Sequence, residues 1–233
     1  MGSSALREQA KTEAVAREGL FVRTWKVPWH AHCLPVAMVL SMTVIWLAGL
    51  PRSHPEDWYL SWMQLAQGRL LPLIAYMFAH LSLLHLALNA LALLVLGGPL
   101  VACFGAPPVS WARFLYLYLG AGVCGGIAFA IVHDDPTPVV GASGAIFGVL
   151  GALARVHPAT GNLVPVGSRR TWLMTKFFIS NHVVLFGIAI VVAVLSGQSQ
   201  SLAWEAHLGG LLFGFFAAPL FLDRDTDLAR SGS

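Results

Sequence analysis

The sequence predicts an all-α, polytopic membrane protein with six transmembrane helices, and three observations predict it. Of 233 residues, 57% are hydrophobic and only 11% charged, against roughly 25% charged in soluble domains. A crossing needs roughly 20 mostly apolar residues, and candidate stretches lie at 33–50, 81–101, 114–132, 143–156, 177–195 and 202–222. The basic residues between these stretches fall heavily on alternate loops. The spans leave no room for a second domain, so 1–30 reads as a cytoplasmic N-terminal tail, 31–222 as one six-span unit and 223–233 as a cytoplasmic C-terminal tail.

From Ala5 to Glu18 the chain mixes Arg and Lys with Glu8, Glu13 and Glu18 and carries little apolar surface, which predicts a frayed or weakly helical tail. The first apolar run is too long for a signal-peptide core and has no small-residue cleavage pattern after it, so it is a span. Leu6 stands where a myristoylation signal needs Ser or Thr. The segment from Pro51 to Pro72 carries Trp58, Tyr59, Trp62 and Met63, side chains suited to a membrane interface. It is expected to form short helices on the outer surface.

Lys and Arg collect in cytoplasmic loops. With the N-terminus inside, twelve of the 14 fall on inner segments and only Arg52 and Arg69 outside. Both termini and the loop from His157 to Lys176 are then cytoplasmic. This pattern also accounts for the net charge of +3 and the pI near 9.0. The basic residues form no stripe of the kind that binds nucleic acid, and no nucleic-acid partner is expected. Cys33, Cys103 and Cys124 are odd in number and sit in or beside apolar runs. They fit packing better than a disulfide framework or a zinc site.

Polar side chains within spans are costly and count as functional candidates by default. Span two holds His85 and Asn89, span four opens with Ser143, and span six holds His207 near its outer end. His85 and Asn89 are four apart, about 40° around a helix and one turn along it, so both can address one point. Ser143 stands in Gly-Ala-Ser-Gly, where the irregular run from Pro136 to Gly141 meets a helix. Gly141 and Gly144 permit a tight turn there, and the helix N-terminus offers unpaired N–H groups to an oxyanion. On the six-span model all four polar residues lie in the outer part of their helices.

Small residues allow close helix contact in lipid. Gly144, Gly148 and Gly151 form a stripe on span four, and His207, Gly210, Gly214 and Ala218 share a face of span six. Packing these stripes together would bring His207 to Ser143. Glu205 lies about 200° around the helix from His207 and so points elsewhere, whereas Phe147, one turn beyond Ser143, is placed to pack on the His207 ring. The reading is a Ser-His dyad, its imidazole oriented in part by an aromatic contact. His30, His32, His54, His133, His157 and His182 are read as loop or span-end residues serving interfacial solvation. His80 is read as ordering water or structuring its loop.

These residues resemble the rhomboid family of intramembrane proteases over about 68–222. HLSLLHLALN from His80 to Asn89 looks like the family's second span, GASGAIFG from Gly141 to Gly148 its nucleophile motif, and AHLGGLLFG from Ala206 to Gly214 the span with the catalytic His. The resemblance implies Ser143 as nucleophile and His207 as general base and acid. His85 and Asn89 would bind the oxyanion with the Ser143 N–H. It also implies a six-helix bundle, a water-filled cavity open to the outside, transmembrane protein substrates within the lipid bilayer, and neither metal nor organic cofactor. An aromatic at the Phe147 position fits the family pattern too.

The family's Trp-Arg pair in the first outer loop stands here as Gly68-Arg69. With no seventh span visible, the chain looks like the basic bacterial form, which places it in a bacterial inner membrane. The alternative is an inactive rhomboid-like protein that binds membrane clients; such members usually lack the Ser or the His. A channel or transporter leaves the Gly-Ala-Ser-Gly turn unexplained, and a zinc intramembrane protease lacks its His-Glu-x-x-His. No motif specifies the substrate or the oligomeric state.

Overall fold

The computed structural model describes residues 27–157, 161–196 and 203–222. The expected C-terminal tail and all but the last four residues of the expected N-terminal tail lie outside them. Among the described residues the long helices are α1 (Cys33–Leu47), entered through a 3₁₀ turn at Trp29–His32, α2 (Leu83–Cys103), α3 (Val109–Val132), α4 (Ser143–Ala154), α5 (Arg169–Ser196) and α6 (Trp204–Phe221). No strand occurs among these residues. Two isolated antiparallel bridges join Leu60 to Val139 and Val156 to Leu163.

Among the described residues, three helical segments, Trp29–Leu47, Leu83–Cys103 and Val109–Val132, are long and apolar enough to cross a membrane. Their outward faces fit that solvent. On α1 only Pro35, Met38 and Met42 are buried, while Val36, Leu40, Val44 and Leu47 are exposed. A helix apolar all round belongs inside a large core or a membrane.

The sequence between α1 and α2 folds as expected into short helices, Leu50–Ser53, Pro55–Trp58, Trp62–Ala66 and Pro72–Ala75. Ser61 and Gln64 form a capping box at the third of these, the reciprocal arrangement that satisfies two orphan backbone donors. At Gly68-Arg69, Arg69 is tied to Asp57, Nη2 to Oδ1, at 2.6 Å. The bridge from Leu60 to Val139 then fastens this region to the loop that precedes Ser143.

Two helix starts differ from expectation. α3 begins at Val109 rather than near 114, because Arg113 is accommodated by donating from Nη1 to Phe104 O at 2.8 Å. α5 begins at Arg169 rather than 177, so the expected loop from His157 to Lys176 is in fact helical over its last eight residues. Ser168 Oγ accepts from Thr171 N at 3.1 Å, as an N-cap does. Arg170 Nη2 donates to Leu153 O at 3.2 Å, and Lys176 Nζ lies 5.0 Å from the Trp172 ring centroid. These charged side chains lowered the local hydropathy without ending the helix.

α4 lies at the centre, packed on α6, α3 and α2. All of its residues are buried except Ser143 and Phe147. The expected glycine packing is present: a Cβ on Gly210 would collide with Gly144 O, one on Gly214 with Gly148 O, and one on Gly151 with Leu211 O. α3 closes in from the other side, where a Cβ on Gly125 would stand 2.6 Å from Ala206 O.

Since the atom opposing Gly210 is backbone, a methyl there cannot be absorbed by a rotamer change. Overpacking of this kind costs typically about 1–3 kcal/mol, so Gly210→Ala should lower the thermal midpoint in detergent by several degrees. Gly167→Ala, with nothing within 4 Å of the added Cβ, should leave the midpoint unchanged. Equal midpoints for both variants would contradict the packing.

Candidate active site

The site is assembled from four helices. Ser143 is the first residue of α4, and His207 lies in the first turn of α6. The glycine contacts that draw α4 against α6 set these two termini side by side, and His207 Nε2 comes to 2.7 Å from Ser143 Oγ. A cavity of about 370 Å³ opens beside them. α2 lines it with His85 and Asn89, α4 with Ser143 and Phe147, and α5 with Phe177 and Asn181. The sequence-derived candidates thus share one space.

The loop before Ser143 is held from three sides. Val139 pairs with Leu60, N to O in both directions, at 2.7 and 3.1 Å. Gly141 N donates to Tyr76 O at 2.9 Å, and Tyr76 Oη donates to Gly122 O at 2.7 Å. Asp135 accepts from Thr137 N at 2.8 Å, and hydrogen bonding by Thr137, side chain before backbone, holds its exposed carboxyl below the ordinary carboxylate range. Gly141 has φ +119°, which L side chains rarely adopt, and its added Cβ would stand 2.7 Å from His85 Nε2. A side chain there would strain the backbone and press on the His85 ring.

Because the Gly141 N–H is already committed, the donors open to an anion beside Ser143 are the first N–H groups of α4, whose intrahelical bonding starts with Ile146 N to Ala142 O at 3.0 Å. Asn89 is buried, and its Nδ2 donates to His85 O at 2.9 Å. That bond fixes the amide while using one of its two N–H groups. The His85 ring is braced by His80, edge to face at 5.0 Å between centroids. His80 is itself buried, its Nδ1 3.3 Å from Phe78 O. Its place is therefore structural, within the loop leading to α2.

Phe147 meets the His207 ring at 4.4 Å between centroids, tilted by 33°. Glu205 is turned away, as its helical position implied, with Oε1 3.3 Å from His133 Nε2. His133 also stacks on Phe129 at 4.3 Å.

His182 corrects the sequence reading. Placed there at a span end and assigned to solvation, it is buried, and its Nε2 lies 3.0 Å from His207 Nδ1. The error follows from the late start given to α5: with the helix beginning at Arg169, His182 lies thirteen residues in, roughly 20 Å along the axis. A signal was present. Asn181 and His182 form a polar pair within an apolar run, the kind of residue that the rule on intramembrane polar groups marks for attention.

The chain belongs to the rhomboid family: the Rhomboid domain model matches residues 67–224. It is 35% identical over 154 residues, 66% of its length, to the rhomboid protease GluP of Bacillus subtilis. Over 159 residues, 68% of its length, it is 31% identical to RHOMBOID-like protein 5 of Arabidopsis thaliana. The matches span only 26% and 46% of those two proteins. YdcA of Bacillus subtilis is 25% identical and matches 88% of this chain and 98% of its own length.

The close approach of Gly141 to His85 is testable by a double-mutant cycle. Gly141→Ala should cost on the order of 1–3 kcal/mol from backbone strain alone, plus the clash with the ring. In a His85→Ala background only the strain remains, so the cost should fall by at least about 0.5 kcal/mol. Additive losses in unfolding free energy would refute the contact.

Proposed function

We propose that this protein is an intramembrane serine endopeptidase that cleaves transmembrane segments of other membrane proteins. The observation that carries the reading is the 2.7 Å contact between His207 Nε2 and Ser143 Oγ, at the edge of a cavity among apolar helices. Family membership and the match to a protein named as a rhomboid protease support it.

In the proposed reaction His207 Nε2 takes the Ser143 hydroxyl proton while Oγ bonds to the scissile carbonyl carbon. The carbonyl oxygen becomes an oxyanion, received by the Ser143 N–H, the His85 ring and the second Asn89 N–H. Collapse expels the new amine, which takes its proton from the His207 imidazolium, and water repeats the sequence to release the acyl group. Phe147 steadies the imidazole by contact, and Glu205, held by His133, takes no part. The inactive, client-binding alternative leaves the hydrogen-bonded pair of Ser143 and His207 without a task.

The proposal includes six spans, α1 to α6, within 31–222, with both termini cytoplasmic and the membrane a bacterial inner membrane. The loop between α4 and α5 then faces inward and the short helices before α2 outward. With the three native cysteines replaced, a Cys at Gly167 should resist an impermeant thiol reagent in intact cells, while one at His54 should react. The reverse pattern would overturn the orientation.

Activity is tested with a fluorophosphonate probe and a transmembrane reporter peptide in detergent. Ser143→Ala and His207→Ala should abolish labelling and cleavage. Asn89→Ala should lower kcat, by up to roughly 10²–10³ if it is a principal oxyanion donor, more than it raises KM. Glu205→Gln should retain most activity. Labelling that persists in Ser143→Ala would sink the proposal, and inactivation by Glu205→Gln in a folded protein would sink the dyad.

A further inference from the structure

We propose that His182 is a positioning residue that selects the tautomer of His207, making the site a serine–histidine–histidine row. The inference rests on the reading of Ser143 as nucleophile and His207 as base, and it begins from an acceptor that has no choice. His182 Nδ1 lies 2.9 Å from Phe178 O, one turn back on α5. A carbonyl only accepts, so this nitrogen carries hydrogen. In a neutral ring Nε2 is then a bare acceptor. His207 Nδ1 stands 3.0 Å from that Nε2 and must donate to it. His207 Nε2 is left with a free lone pair, 2.7 Å from Ser143 Oγ, the state in which it can receive the hydroxyl proton.

The direction of every bond in the row thus follows from one peptide carbonyl: Ser143 O–H to His207, His207 N–H to His182, His182 N–H to Phe178 O. When Ser143 Oγ bonds to the carbonyl carbon, its proton moves to His207 Nε2. The Nδ1 proton stays in place, and the bond to His182 now comes from an imidazolium. Charge-assisted hydrogen bonds are the stronger kind. His182 therefore favours the transition state over the bound substrate, and its loss should appear in kcat rather than KM.

The competing account is packing. His182 sits among rings, 4.1 Å from Phe178 and 4.9 Å from Phe147 between centroids, and could matter only as filler. Two substitutions separate the accounts because they keep opposite halves of the side chain. His182→Phe keeps a ring and removes the acceptor; His182→Gln removes the ring and keeps an acceptor oxygen at similar reach.

Positioning predicts that His182→Phe lowers kcat about 10- to 100-fold, the range for a hydrogen bond to a charged group, with KM within about threefold and Gln at least several-fold more active than Phe. Packing predicts Phe above Gln, and that order, or wild-type kcat in His182→Phe, overturns the proposal.

A second measurement needs no activity and leaves His182 unaltered. Nitrogen NMR of histidine-labelled protein in detergent, with His207 assigned by comparison with His207→Gln, should find the neutral His207 proton on Nδ1. A proton on Nε2 overturns the proposal even in an active enzyme. If wild type shows no Ser143-dependent labelling, the functional reading fails, and the tautomer still decides for or against His182.

Discussion

The arrangement depends on how closely α4 and α6 approach. Gly144 and Gly148 present carbonyl oxygens to Gly210 and Gly214 at a separation that a methyl would close. In a membrane there is little hydrophobic gain from bringing two apolar helices together, so contact relies on dispersion and on small residues that let backbones meet. The same glycines set the depth at which the two N-termini stand. Ser143 and His207 are each within the first turn of their helices, so a slip of one helix along the other would separate them directly. α3 adds a third small-residue face through Gly125, against Ala206 O, and Ala121, against Gly148. The candidate site is tied to closely packed helices.

Much of this was legible in the sequence because its physics is local or periodic. Polar residues in apolar runs stand out whatever the fold, and four-residue spacing placed His85 with Asn89 and Ser143 with Phe147. The glycine stripes revealed which helices meet, and helical phase showed that Glu205 would turn away from His207. What remained hidden lay where the sequence signal is a sum over a window. Arg169, Arg170 and Lys176 depressed the hydropathy at the head of α5, yet the helix runs through them, with Arg170 donating to Leu153 O and Lys176 set over the Trp172 ring. His182 was lost with that boundary, although its polarity was as plain as that of His85. The pairing of His133 with Glu205 was hidden for another reason: it joins residues 72 apart in the chain, and no periodicity reports such a contact.

The segment before α2 shows how an irregular region becomes part of the site. Its short helices pack Leu65 and Leu73 against the core, and specific polar contacts fix them further: a capping box at Ser61, an ion pair from Arg69 to Asp57, and Gln64 Nε2 donating to Glu56 O at 2.9 Å. Leu60, fully buried, carries the bridge to Val139. Tyr76 at the far end accepts from Gly141 and donates to Gly122. The turn that presents Ser143 is therefore braced by residues more than sixty positions earlier in the chain.

The bond from His182 to the Phe178 carbonyl also bears on dielectric cost. A carboxylate in the third position would bring a permanent negative charge into an environment poor in water, where an ion loses several kcal/mol of hydration that a partner must restore. A row of hydroxyl, imidazole, imidazole and peptide carbonyl holds every proton between a donor and an acceptor with no formal charge anywhere. In the proposed reaction charge arises there only when substrate is attacked and disappears when the product leaves. The resting protein can then be inserted and folded in lipid without carrying an ion to the site, and a backbone group already present in any helix completes the circuit.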